Sequence, residues 1–236
     1  MKTRIVCHRG ASRQAPENTI ASGLAAAALG GDIIELDVRQ SRDGVLYVLH
    51  DPTLDRTTDG AGAISRADSA DLDRLDAGSW HGPKFVGERL PRLDDFFDAL
   101  RDKVDFFVEV KQADAGAVAR SITQAGLRDR CMGFSFDAAI RRALTEAAPW
   151  LKMLVNWRDL DAIPDAAQLG YSGISFDVPD ASPERLFRTR KAGLEIMVYT
   201  PKLDLPAFRD AIQSGVDYLN IDYPDLADRI RRERVK

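Results

Sequence analysis

Cysteine is nearly absent. Only Cys7 and Cys131 occur, and with no third thiol and no short spacing between them they fit neither a metal site nor a disulfide framework. They are expected to be small buried hydrophobes, and nothing about them demands an oxidising compartment. Long apolar runs are missing too: Ala21 to Leu29 has a helical pattern and is soon interrupted by Asp32, well short of a membrane span. The opening M-K-T-R-I-V-C-H-R-G has no apolar signal-peptide core, so a cytoplasmic protein is expected. Lysine and arginine never form a long run, and the formal net charge is −4. That leaves no electrostatic footprint for nucleic acid, nor for stable association with an anionic membrane surface. Any anionic substrate must therefore be held by a local site, while the oligomeric state, homo-oligomer included, stays open. Histidine is scarce as well, with three in the chain.

What is present is ordinary globular material. At 236 residues, 44% hydrophobic and 30% charged, the chain fits one large α/β barrel or two small domains. Apolar runs recur at Arg4 to Cys7, Ile33 to Val38, Val104 to Val110, Cys131 to Ser135, Lys152 to Val155, Gly173 to Phe176, Glu195 to Tyr199 and Val216 to Ile221. Helical patterns lie between them near Glu17 to Leu29, Leu93 to Arg101, Ala115 to Ala125, Asp137 to Ala147, Asp165 to Leu169, Pro183 to Ala192, Leu205 to Ser214 and Pro224 to Arg232. Strict alternation implies parallel strands joined by crossovers, and eight such units close a TIM (β/α)8 barrel of about 250 residues. Gly30-Gly31, Gly126, Gly193 and Gly215 sit where a left-handed residue would end a helix. An open, flavodoxin-like sheet is the alternative, but no strand reads as a charged edge. With no linker, low-complexity tract or repeat, residues 1–236 read as one domain. Pro52 to Pro91, rich in Asp, Gly and Arg, breaks the rhythm and reads as a small insertion at about 51–91 on the active face.

The chain is organised around Ile33 to Asp51, I-I-E-L-D-V-R-Q-S-R-D-G-V-L-Y-V-L-H-D. In an extended chain Glu35 and Asp37 point to one face and Ile34, Leu36 and Val38 to the other. Asp43-Gly44 is a strong hairpin signal. A two-residue turn there pairs Arg42 with Val45 and Gln40 with Tyr47, and counting back sets His50 opposite Asp37. A surface hairpin would solvate these charges, but Ile33-Ile34 and Leu46 to Leu49 are too apolar for that, and grouped ionisable residues in an apolar setting mark function.

In such a barrel, functional groups come from the C-terminal ends of strands. His8 and Arg9 end the first strand, Glu35 and Asp37 the second, and Glu109 and Lys111 the third in F-F-V-E-V-K, where period two turns Val108 and Val110 outward. Three inward carboxylates, Glu35, Asp37 and Glu109, repel one another unless a cation lies between them. Their all-oxygen character favours one hard divalent cation, Mg²⁺ or Ca²⁺, over zinc. Two of the three histidines, His8 and His50, fall beside this cluster and suit a general acid/base pair. Arg9 and Lys111 add fixed positive charge, and with the cation they would stabilise a phosphoryl transition state, so a phosphoester is the expected substrate. His81, beside Trp80, reads as a surface or packing residue. Pro16 suits a helix start, where acidic charge is favourable, and this explains much of Glu17 and Asn18 structurally.

The ordered motifs H-R-G (His8 to Gly10), P-E-N-T (Pro16 to Thr19), E-L-D (Glu35 to Asp37), Asp43-Gly44, His50-Asp51, L-D-R-T-T (Leu54 to Thr58) and E-V-K (Glu109 to Lys111) resemble the glycerophosphodiester phosphodiesterases. The resemblance continues more faintly at Ser135-Phe136 and in G-V-D-Y-L-N-I-D-Y-P-D near the C-terminus. It implies a TIM barrel with an inserted subdomain and metal-dependent hydrolysis of glycerophosphodiesters, small molecules of glycerol and lipid metabolism, to sn-glycerol 3-phosphate and an alcohol. By the same resemblance His8 and His50 are the acid/base pair, Glu35, Asp37 and Glu109 the metal ligands with Mn²⁺ also admissible, and Arg9 and Lys111 the phosphate contacts. On the family mechanism the glycerol 2-hydroxyl attacks phosphorus to give a cyclic phosphate that water opens, or water attacks directly; both routes stay open. Ser41-Arg42 and Tyr199 depart from the usual residues, threonine and a variable position in the first case and tryptophan in the second, which bears on substrate preference. A lysophospholipid or phosphoinositide phosphodiesterase would want an apolar insertion, whereas Pro52 to Pro91 is polar. A non-catalytic phosphoester-binding barrel would ordinarily lack one of the histidines.

Overall fold

A computed structural model of the chain describes residues 2–233. Its core is a ring of eight parallel strands: β1 (Arg4–Cys7), β2 (Ile33–Gln40), β4 (Asp105–Gln112), β5 (Cys131–Phe134), β6 (Lys152–Asn156), β7 (Gly173–Asp177), β8 (Glu195–Thr200) and β9 (Tyr218–Ile221). A short β3 (Leu46–Val48) pairs antiparallel with the far end of β2. The ring closes because β1 pairs with both β2 and β9, which removes the open-sheet alternative. All eight strands expected from the apolar runs are present.

Parallel strands flanked by crossovers are buried on both faces. Val6, Ile33, Phe107, Met132, Phe134, Leu154, Met197 and Tyr218 fill the inside of the ring. The alternate residues, Ile34, Leu36, Val38, Val108 and Val110 among them, pack outward in the larger cluster beneath the helices. Those helices are α1 (Ile20–Ala28), α3 (Leu93–Leu100), α4 (Ala115–Gln124), α5 (Ala138–Ala147), α6 (Ile163–Gln168), α7 (Pro183–Lys191), α8 (Leu205–Gln213) and α9 (Pro224–Glu233). Side chains satisfy the free amides at several starts: Asp114 accepts from Ala117 at 2.7 Å, and Asp137 accepts from Ala139 and Ile140. The glycines expected to end helices, Gly30, Gly126, Gly193 and Gly215, all take positive φ.

Between β3 and α3 the chain carries a four-residue helix α2 (Ser69–Leu72) and packs on its own small cluster of Tyr47, Leu49, Leu54, Ile64, Leu72, Ala77 and Leu90. Here lie Trp80 and His81, whose rings meet edge to face at 5.5 Å, with His81 also 5.2 Å from Phe85. Cys7 and Cys131 are free and buried, and burial, followed by Asp105, pushes the Cys131 thiol up to about 12. Among the described residues no helix is long and apolar enough to cross a membrane.

Two expectations need correction. The β2–β3 hairpin pairs Val38 with Val48, Arg39 with Tyr47 and Gln40 with Leu46, one residue out of the predicted register. Ser41 N–H bonds the Val45 carbonyl at 2.9 Å, and Gly44 has φ +89°. The loop is therefore three residues, Arg42 to Gly44, with glycine at its left-handed position. Leu49, not His50, lies across from Asp37, with its N–H on the Asp37 carbonyl at 2.9 Å. The second correction is at α1, which begins at Ile20 with Thr19 as its cap, not at Glu17. Glu17 and Asn18 lie outside the helix, held by contacts at the mouth of the barrel.

Candidate active site

The C-terminal ends of the strands surround a cavity of about 410 Å³ lined by His8, Arg9, Glu35, His50, Glu109 and Lys111 on one side. Phe136, Asn156, Ser175, Tyr199 and Asn220 line the rest of it. Six of the seven expected site residues thus line one cleft, and the seventh, Asp37, is 1% exposed beneath them. Strand register explains the grouping: Asp37 on β2 is the Cα partner of Glu109 on β4, and Glu35 lies two residues earlier on β2, on the same inward face. One carboxylate oxygen from each of the three fits within 4.8 Å of the others. Beyond Val110, β4 holds one more residue than β2, and this bulge at Lys111 swings its ammonium back over the acids. Its Nζ lies 2.5 Å from Glu109 Oε1 and 3.3 Å from Asp37 Oδ1.

Burial first, then Asp37 and Glu109, pushes the Glu35 carboxyl well above the usual range; burial and Asp37 push Glu109 up as well. Burial works against the Lys111 ammonium, yet Asp37 and Glu109 outweigh it and hold its pKa high, and the Arg9 guanidinium is held in the same way by Asp37, Glu17 and Glu35. Three carboxyl groups face two fixed cations, so full ionisation would leave negative charge in excess, which is why Glu35 and Glu109 are pushed up. Among the described residues, four buried side-chain atoms have no hydrogen-bond partner: Arg9 Nε, Glu35 Oε1, Asp37 Oδ1 and Asn220 Oδ1. All four belong to this cleft. Arg9 Nε and Asp37 Oδ1 have only longer ionic contacts, each at 3.3 Å. Buried polar atoms without partners are uncommon and costly, and two of these, Glu35 Oε1 and Asp37 Oδ1, are carboxylate oxygens of the acidic triad, free to ligate a cation. The ligands of one cation bound at 2.0–2.6 Å lie within about 5 Å of one another. The acidic cluster fits a hard divalent ion on both counts.

The two imidazoles are held alike. His8 Nδ1 is 2.8 Å from Asp222 Oδ1, and His50 Nδ1 is 2.6 Å from Asp51 Oδ1. A carboxylate at Nδ1 favours the neutral tautomer with its proton there and frees Nε2 as the reactive nitrogen. His8 is further held by Tyr199, edge to face at 5.1 Å with the hydroxyl 3.4 Å from Nε2. His50 lines the cleft although its register partner is not Asp37. The chain leaves the ladder after Leu49, and Arg39 Nε donates to the His50 carbonyl at 2.8 Å. Burial lowers the His50 pKa, against the pull of Asp37 and Asp51.

Several groups here escaped the sequence reading. Asn18 Nδ2 donates to Asp37 Oδ2 at 2.8 Å, and Asn18 Oδ1 accepts from the Asp37 amide at 3.3 Å. Glu17 bonds Arg9 at 2.9 Å and also Arg56. The P-E-N-T order was a usable signal that the helix-start explanation masked. Asp222, immediately after β9, lay within the faint C-terminal motif G-V-D-Y-L-N-I-D-Y-P-D, which carried no assigned role.

Residues 8–226 match the Glycerophosphoryl diester phosphodiesterase family. The chain belongs to this family. It is 40% identical over 99% of both chains to a glycerophosphodiester phosphodiesterase of Caldanaerobacter subterraneus subsp. tengcongensis. The crystal structure of a glycerophosphodiester phosphodiesterase from Agrobacterium tumefaciens superposes with a TM-score of 0.92 at 41% identity, over 95% of this chain and 98% of that one. An Oleispira antarctica phosphodiesterase, solved with its product sn-glycerol-3-phosphate, superposes with a TM-score of 0.88 at 27% identity, over 97% and 96% of the two chains. The family match begins at His8 and takes in the whole cleft.

Proposed function

We propose that the protein hydrolyses glycerophosphodiesters to sn-glycerol 3-phosphate and an alcohol, using one divalent cation, Mg²⁺ or Ca²⁺ with Mn²⁺ admissible, at Glu35, Asp37 and Glu109. The observation that carries this reading is the meeting of that buried triad with two carboxylate-backed histidines and two fixed cations in one cleft. The product held by the Oleispira relative fits it. A cation bound by the triad supplies Lewis-acid stabilisation of the phosphoryl oxygens. Arg9 and Lys111 bind and orient the phosphate, and add positive charge where negative charge builds. His8 and His50 stand as the proton-transfer pair. The Nε2 of one takes the proton of the nucleophile, the glycerol 2-hydroxyl or water, and the other protonates the leaving alcohol oxygen. Where the 2-hydroxyl attacks, water then opens the resulting cyclic phosphate to sn-glycerol 3-phosphate, with the same pair moving the protons in reverse.

Purified protein given glycerophosphocholine should release choline and glycerol 3-phosphate, and EDTA should abolish the release. A panel of glycerophosphodiesters and lysophospholipids left intact with Mg²⁺, Ca²⁺ and Mn²⁺ supplied would sink the reading. If only lysophospholipids turn over, the lipid alternative replaces it.

A further inference from the structure

We propose that Arg56, in the segment between β3 and α3, is a positioning residue for His50, acting through Asp51. The proposal rests on the reading of His50 as a proton-transfer group. Four ion pairs run in a row: Arg9 to Glu17, Glu17 to Arg56, Arg56 to Asp51 and Asp51 to His50. Arg56 stands at the middle with every nitrogen of its fork engaged. Nε lies 2.5 Å from Asp51 Oδ2 and Nη2 lies 3.2 Å from Asp51 Oδ1, while Nη1 and Nη2 reach Glu17 at 2.9 and 2.8 Å. Two bidentate contacts from one guanidinium fix both carboxylates in direction as well as in place.

A purely stabilising role explains this poorly. The Arg56 side chain is 43% exposed, and ion pairs this open contribute little. What separates it from other surface arginines is where its partners lead. The other partner of Asp51 is the His50 imidazole, and the other partner of Glu17 is Arg9. The two histidines also differ in a way that makes a clamp necessary for one of them. Asp222 directly follows β9, so the strand itself holds the carboxylate that faces His8. Asp51 lies three residues beyond β3 in irregular backbone, and there the Arg56 fork supplies the rigidity that a strand end supplies to Asp222. Arg56 thereby ties the segment after β3 to the rim of the barrel.

The test uses full-length protein, glycerophosphocholine, saturating divalent cation and single-turnover conditions. Arg56→Gln should lower the rate of choline release about 10- to 100-fold, the scale of a small misplacement of a reacting group, and Arg56→Lys should restore part of it. Arg74→Gln, which breaks an exposed pair with Asp71 within the same segment, should leave the rate unchanged. The decisive comparison adds Arg56→Gln to His50→Ala: a residue that acts through His50 costs nothing further there. An equal fold-loss in both backgrounds overturns the proposal, and so does an Arg56→Gln rate equal to wild type. If Arg56→Gln does not fold, Asp51→Asn takes its place in both backgrounds with the same expectations. Should His50→Ala alone turn over like wild type, the reading of His50 fails instead, which keeps the two failures distinct.

Discussion

Glu35→Gln should make the protein more stable in the absence of metal and deaf to metal in its presence. In the folded chain Glu35 is 2% exposed, has one oxygen with no hydrogen-bond partner, and faces Asp37 and Glu109. Its pKa, like that of Glu109, is raised on folding. A carboxyl raised on folding favours the native state below its unfolded pKa, near 4.3 for glutamate, and that contribution is lost as pH rises through the folded value. Stability therefore falls as pH rises from about 5 toward the raised folded values of Glu35 and Glu109. Removing one buried, partly unsatisfied charge should return about 1–3 kcal/mol, which for a domain of this size is a Tm rise of about 2–10 °C. A cation that binds only the folded chain acts in the opposite sense on wild type: at a hundredfold excess over Kd it adds about 2.7 kcal/mol, or about 5–10 °C. Thermal melts of wild type and Glu35→Gln between pH 5 and 8, in EDTA and then with Mg²⁺ or Ca²⁺, test this directly. The difference in EDTA should widen with pH, and cation should raise Tm in wild type alone. A variant that melts below wild type in EDTA at pH 8, or a wild type whose Tm ignores saturating cation, would refute the reasoning.

His8→Ala and His50→Ala should each lower choline release from glycerophosphocholine about 10²–10⁴-fold while keeping the cation-induced Tm shift, since neither belongs to the triad. Asp222→Asn should lower kcat about 10²-fold or more with KM nearly unchanged, because an amide that donates to His8 Nδ1 would trap the proton on Nε2; a kcat within twofold of wild type removes the tautomer argument. Lys111→Met leaves Asp37 and Glu109 without their shared ammonium. In EDTA at pH 8 its melt should show a loss of about 3–5 kcal/mol, recovered in part by cation, and its KM for glycerophosphocholine should rise.

Much of this molecule was legible before its fold was known, for identifiable reasons. Strands buried on both faces produce continuous apolar runs, so Ile33 to Val38 and Val104 to Val110 announce themselves, and period two alone turns Glu35, Asp37 and Glu109 inward. The failures share a cause: each needed information that one segment does not carry. The hairpin went one residue out because Asp43-Gly44 is compatible with a two- and a three-residue loop, and only the pairing of Arg39 with Tyr47 decides between them. Asp222 meets His8 across 214 residues because β9 closes the ring onto β1, a contact made by topology and by no local pattern. Glu17 and Asn18 were read as a helix start because Pro16 suits one. The demand of Asp37 for donors overrode that preference.

That override has a cost, and its location is informative. Among the described residues, Arg9 and Asn18 are the non-glycine positions with positive φ, at 55° and 58°. Backbone held in this region costs on the order of 1–3 kcal/mol per residue and persists only where the surroundings demand it. Both residues feed the triad: the Arg9 amide donates to Glu35 Oε2 at 2.8 Å, and Asn18 grips Asp37 from two sides. They also brace each other, with the Asn18 amide on the Arg9 carbonyl at 3.1 Å. Strain, buried like charge and unpartnered acceptors thus fall on one spot at the mouth of a barrel that is otherwise packed and paired. Selection for stability alone would remove all three, with glycine at 9 and 18 and an uncharged side chain at 35. A chain that keeps all three holds its acids against their own repulsion for a cation to bind, so substitutions that relax this spot should raise metal-free stability while lowering metal affinity.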